Sequence, residues 1–107
     1  MHSQEKARYQ ARARILKALA HPARLFIVEE LAKGPRCVCE LQRRLRLDIS
    51  TVSKHLSVLK SAGMVQDEKR GLKVHYTLRF PCVLHFFSCA EAVLKLAAKE
   101  QRRLLET

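Results

Sequence analysis

The chain has 107 residues, which suits one domain with a modest core. Its 21 Lys and Arg outweigh 10 Asp and Glu, a formal net charge of +11, so a polyanion is the first partner to consider. No run approaches the ~18 apolar residues of a membrane span, Trp is absent, and MHSQEKARYQ lacks a signal peptide's apolar core, so a cytoplasmic protein with no membrane partner is expected.

From about residue 4 to 20 the chain is rich in Ala, Arg, Lys and Leu, good helix formers. Its apolar positions Tyr9, Ala13, Leu16 and Leu19 are thinly spread, which predicts a helix lying across a partner subunit. Six basic residues up to Arg24 face only Glu5, as on a solvated helix face. Pro22 fits the first turn of a second helix that Gly34 ends, with Leu25, Ile27, Val28 and Leu31 expected in the core. His21, just before that proline, reads as a capping or packing residue rather than a ligand.

Residues 37–63 read as helix, tight turn, helix. Leu41 and Leu45 mark the inner side of the first helix, Asp48 suits the N-cap of the second, and Val52, Leu56 and Leu59 give that helix its apolar stripe. Gly63 supplies the stop. Ser50, Thr51, Ser53, Lys54 and His55 are then left for an outer face near the helix start, where short hydroxyls beside cations suit a major-groove reader. A solvated surface helix of a small bundle is the competing reading of this segment alone.

Residues 64–79 change period, and two short strands are predicted over 64–69 and 72–78 around Arg70-Gly71. Val74 and Tyr76 fall on one face, with Lys73, His75 and Thr77 on the other. A hairpin directly after a recognition helix is a wing, and Arg70 and Lys73 at its tip suit phosphate or minor-groove contact. Pro81 opens a last helix over 81–105, whose face of Val83, Phe86, Phe87, Ala90, Val93, Leu94 and Ala97 is too broad to close one small domain. A two-fold homodimer through residues 4–20 and 81–105 absorbs the surplus and sets two recognition helices about 34 Å apart, one duplex turn. The expected fold is mainly α with a small β-hairpin: a single winged helix-turn-helix domain over 1–107 that binds double-stranded operator DNA.

That order of elements, with CVCEL, STVSKHLSVLKSAG and RGLKVHYTL, resembles the ArsR/SmtB family of metal-sensing repressors, over roughly residues 15–97. The resemblance implies a homodimeric repressor that releases DNA when inducer binds, with no permanent cofactor. It also implies that Cys37 and Cys39 match the paired cysteines of arsenic, antimony, cadmium and lead sensors. The chain departs from the arsenic pattern at Gln42, where a further Cys often stands, and its N-terminal arm has no Cys. The acid-and-histidine pattern of zinc sensors on the last helix is also missing in its usual form.

Four cysteines in a reducing compartment read as thiols, metal ligands or redox sensors. On a helix Cys37 and Cys39 would point about 200° apart, whereas in an extended segment they point the same way. The pair stands at or just before the helix that supports the recognition helix, so binding there would reshape its first turn. Cys82 and Cys89, with His85 between them, fall within about 60° of one another on the last helix, a stripe that packs an interface or adds a ligand. Three thiolates for As(III) or Sb(III) would come from Cys37, Cys39 and one of Cys82 or Cys89. Cd(II), Pb(II) or Zn(II) is the next ligand class, and a thiol redox or persulfide switch is the alternative on the same scaffold. An enzyme is disfavoured because no acid and base converge with the CxC pair, and RNA binding because the aromatics are few.

Overall fold

The computed structural model describes residues 1–106. In chain order they form α1 (Ser3–Leu19), α2 (Pro22–Ala32), β1 (Arg36–Cys37), α3 (Val38–Leu45), α4 (Ile49–Ser61), β2 (Val65–Arg70), β3 (Lys73–Leu78) and α5 (Val83–Leu105). The strands make one antiparallel sheet in the order β1-β3-β2, and the architecture is a winged helix-turn-helix.

Local chemistry sets the helix ends. His21 caps α2 by accepting the Ala23 N–H on Nδ1 at 3.1 Å, with Pro22 in the first turn, so the capping reading of His21 holds. At the end of α4, Met64 N–H donates to Leu59 O and Gly63 N–H to Lys60 O, both at 3.0 Å. Gly63, at φ +82°, takes the left-handed step this Schellman closure requires. The turn between α3 and α4 makes a similar step on a non-glycine residue, Arg46 at φ +56°, whose N–H reaches Gln42 O at 2.8 Å.

The core gathers Ile27, Val28 and Leu31 of α2, Leu41 of α3, Val52, Leu56 and Leu59 of α4, and Val65 of β2. Each aliphatic side chain fully buried there contributes about 1.5–3 kcal/mol. Leu25 does not join them, contrary to expectation. It is 38% exposed and turned toward a groove that it lines with Leu16, Leu19, Phe86 and Phe87, because the inward stripe of α2 is taken by Ile27, Val28 and Leu31.

Three boundaries differ from the sequence reading. The hairpin turns at Gly71-Leu72, since Arg70 pairs with Lys73 as the last rung of the ladder, and Gly71 at φ +63° supplies the conformation a two-residue turn needs. The last helix begins at Val83, preceded by a turn in which Val83 N–H reaches Phe80 O and Leu84 N–H reaches Pro81 O. The third strand, β1, was not anticipated, because two residues are too few to show alternation. It pairs with β3 at Arg36↔Tyr76 and Cys37↔His75.

The radius of gyration is 17.2 Å, against about 13 Å for a compact chain of this length. The excess comes from α1 and α5. Ala18 and Leu19 are the buried residues of α1, and Phe87 is the buried residue of α5.

Candidate functional site

The N-terminal half of α4 is held with one face inward and the other outward. Val52, Leu56 and Leu59 pin it to α2 and α3, which leaves Ser50 and Lys54 exposed and Thr51 and Ser53 half-buried beside them. Asp48 occupies the N-cap, where its carboxylate accepts from Ser50 Oγ at 2.9 Å. Hydrogen bonds from the hydroxyls of Thr51 and then Ser50 hold the Asp48 carboxyl below its ordinary value. The charge so maintained fixes those hydroxyls at the mouth of the helix. Ile49, more than half exposed in the same turn, is a surface residue that the polar pattern had concealed, and its methyls suit contact with a thymine methyl.

His55 is not on the outer face. It is only 9% exposed, with its ring 4.5 Å from that of His21 and its Nδ1 accepting from Arg24 Nε at 3.1 Å. The cause is helical phase: three residues after Val52 and four before Leu59, residue 55 lies along the buried stripe. That spacing was the signal in the sequence that could have placed it. Burial first, then the charges of His21 and Arg24, push the His55 imidazole below its ordinary value. Arg24 Nη1 also donates to Ala18 O at 3.2 Å, so one guanidinium ties the end of α1 to the middle of α4.

At the wing, Arg70 and Lys73 are exposed on either side of the turn, and Arg70 Nη2 lies 3.4 Å from Glu68 Oε2. Lys60 of α4 meets Asp67 of β2 at 3.0 Å, fastening the wing's base to the recognition helix.

A buried carboxylate that the sequence reading had passed over sits behind α3. Glu30 accepts from Lys33 at 3.1 Å and lies 3.5 Å from Arg44 and 3.9 Å from Arg36, joining α2, α3 and β1. The Lys33 hydrogen bond leads the effects that hold its carboxyl below the ordinary glutamate value, against the opposing cost of burial.

Cys37 is the last residue of β1 and the N-cap of α3, and Cys39 lies in that helix's first turn. The chain passes from extended to helical between them, which brings their Cα atoms to 5.4 Å and joins the sulfurs in a disulfide. Glu40 accepts the Cys37 N–H at 3.2 Å, so the carboxylate of the third helical residue stabilises this helix start. Cys82, just before α5, and Cys89, within it, are free and exposed. Among the described residues no three Cys, His, Asp or Glu side chains converge as a metal site within one protomer. Nor is any of their helices long and apolar enough to cross a membrane.

Comparison with known proteins places this architecture. Residues 21–67 match the family described as "Bacterial regulatory protein, arsR family". The HTH-type transcriptional repressor SmtB of Mycobacterium tuberculosis is 44% identical over 68 residues, 64% of this chain, and that stretch spans half of SmtB's length. The uncharacterized HTH-type transcriptional regulator Rv0081 of M. tuberculosis is 33% identical over 99 residues, 92% of this chain and 87% of its own. Its crystal structure superposes with a TM-score of 0.76, covering 87% of this chain and 94% of that one. The solution structure of Mb0332 from Mycobacterium bovis, described as a homodimeric winged helix-turn-helix DNA-binding domain, superposes with a TM-score of 0.78 at 28% identity, covering 94% and 93%. These relatives are transcriptional regulators and not enzymes, and this chain belongs to the ArsR family of winged helix-turn-helix regulators.

Proposed function

We propose that this chain is a cytoplasmic homodimeric repressor that grips duplex operator DNA through α4 and the wing, and lets go when the Cys37–Cys39 pair changes state. The observation that carries this reading is the position of the sulfurs. They stand where β1, hydrogen-bonded to the wing strand β3, becomes α3, which packs against the recognition helix. A species bridging both sulfurs acts on both DNA-contacting elements at one point. Operator contact falls to Ser50, Thr51, Ser53 and Lys54, with Arg70 and Lys73 on the flanking phosphates; His55 acts from behind by holding the helix.

Pairing of two copies is supported by the unspent apolar surface of α1, α2 and α5, where Leu16, Leu25, Phe86 and Leu94 line one groove. Two-fold symmetry through that surface presents two recognition helices to successive major grooves. The inducer is a thiophilic metalloid, As(III) or Sb(III), held by Cys37 and Cys39 with a third thiolate from Cys82 or Cys89 of the other subunit. Cd(II), Pb(II) and Zn(II) are the next candidates. A second reading, a thiol redox switch without metal, is favoured by the Cys37–Cys39 disulfide.

Gel-shift release from the protein's own promoter, challenged in parallel with As(III), Cd(II), Zn(II), peroxide and polysulfide, separates these inducers. The Cys37→Ser, Cys39→Ser double variant should bind DNA and ignore all of them. Release that persists in that variant removes the sulfur pair from the mechanism.

A further inference from the structure

Neither the hydrophobic core nor the DNA-facing surface accounts for the histidine on the wing strand. Cys37 and His75 are directly opposed across β1 and β3, so their side chains leave the sheet on the same face, with Cβ atoms about 4.5–5.5 Å apart. The neighbouring rung, Tyr76, points the other way and packs against the helical core together with Leu78. Cys37 is only 4% exposed, so its sulfur is enclosed on that face. Its partners are His75 across the ladder, Cys39 through the disulfide and Glu40 at its backbone N–H. His75 is half-buried, and its Nδ1 is a fully enclosed atom with no hydrogen-bond partner, a state no other buried side-chain nitrogen or oxygen of the described residues shares. On its other side His75 is opposed by Glu68 of β2, whose carboxylate is engaged by Arg70.

A buried ring nitrogen without a partner is costly, and proteins rarely leave one in place. Here the opposed residue is a cysteine that has no S–H to give, because its sulfur is bonded to Cys39. We propose that His75 is the third member of the sulfur site: its Nδ1 accepts the Cys37 S–H that appears when the disulfide opens. A dithiol reductant supplies two electrons and two protons, the Cys37–Cys39 bond breaks, and the reductant's own sulfurs become a disulfide. One proton stays on Cys39, and the other stays on Cys37 and is shared with Nδ1. The dithiol form thereby gains a hydrogen bond that the disulfide form lacks, which favours reduction and links β1 to the middle of the wing strand.

This inference rests on the sulfur pair being the sensing site, and its test is independent of DNA. Purified full-length protein is equilibrated with dithiothreitol couples of graded ratio, and the Cys37–Cys39 state is read by alkylation and mass spectrometry. Removing the acceptor in His75→Phe should shift the equilibrium about tenfold toward the disulfide, equivalent to about 30 mV. His75→Asn, which places an amide acceptor near the same point, should recover most of that shift. A Phe variant within twofold of wild type, or an Asn variant no closer to wild type than Phe, overturns the proposal. Should His75→Phe fail to fold, wild type decides alone: the His75 Nδ1 nitrogen resonance should move between oxidised and reduced protein, and an unmoved resonance overturns it. If the redox equilibrium responds to residue 75 while DNA release ignores the cysteines, the imidazole assignment stands and the repressor switch is what has failed.

Discussion

The two functional helices of this chain spend their apolar faces in opposite ways. Of the 13 residues of α4, Val52, His55, Leu56 and Leu59 are buried against the same chain. The 23 residues of α5 include Phe87 as the buried one, while Phe86, Val93 and Leu94 remain more than half exposed. A helix that must present a fixed set of side chains to a duplex is immobilised by its own protomer. A helix whose face is left open keeps that surface for something outside the protomer, and charge alone would not have revealed the difference, since the whole chain is basic.

The largest expected effect tests the closed side. Leu56→Ala removes a side chain with no exposed surface and should lower folding stability by about 2–5 kcal/mol in chemical denaturation. Leu94→Lys tests the open side, placing a charge where the side chain is 62% exposed. It should leave the protomer folded, yield a monomer in sedimentation, and weaken operator binding by about 100-fold as the second half-site is lost. A Leu94→Lys protein that still sediments as a dimer would break the comparison, because the face would then have another use.

On the closed side, Arg24 ties the end of α1 to the middle of α4. Arg24→Ala leaves His55 Nδ1 and Ala18 O without their donor and should cost about 1–3 kcal/mol. Because His55 takes up a proton less readily when folded, the unfolded chain protonates first as pH falls through 6.5. Stability should therefore decline below that pH until the folded His55 also titrates, and His55→Leu should flatten that part of a stability-against-pH curve. Glu30 acts in a lower window. Its lowered carboxyl supports the fold fully above the ordinary value of 4.5, and that support is lost as pH falls through the folded value.

The smallest effects belong to the DNA surface. Lys54→Ala should weaken specific over non-specific binding by about 1–3 kcal/mol, whereas Arg70→Ala should lower the salt slope by about one phosphate contact without changing sequence preference. Binding that is indifferent to Lys54 would show that the outer face of α4 does not read the groove.

Helix α2, the helix-turn-helix and the wing were legible because their punctuation is local: Pro22, Gly34, Gly63 and the alternation of Val74, Tyr76 and Leu78 each act within a few residues. What escaped depends on contacts between distant segments. His55 looked like a surface cation because a histidine inside an apolar stripe is polar by composition; its spacing from Val52 and Leu59 marks it as buried, but the partner that satisfies its ring there, Arg24, lies 31 residues away. Glu30 looked like one acid among many until Arg36 and Arg44 folded over it. The CxC pair was read as extended or helical, but its geometry is one residue of each, set by a strand too short to recognise.

The sheet's order also guards the protein against its own stickiness. With β3 in the middle, β2 is an outer strand whose Asp67, Glu68, Lys69 and Arg70 stand exposed in an unbroken run. A foreign strand added to that rim would have to place its own side chains beside four charges of both signs, which disfavours fibril-like growth there. Self-recognition through the proposed helical interface would instead close on itself after one pairing.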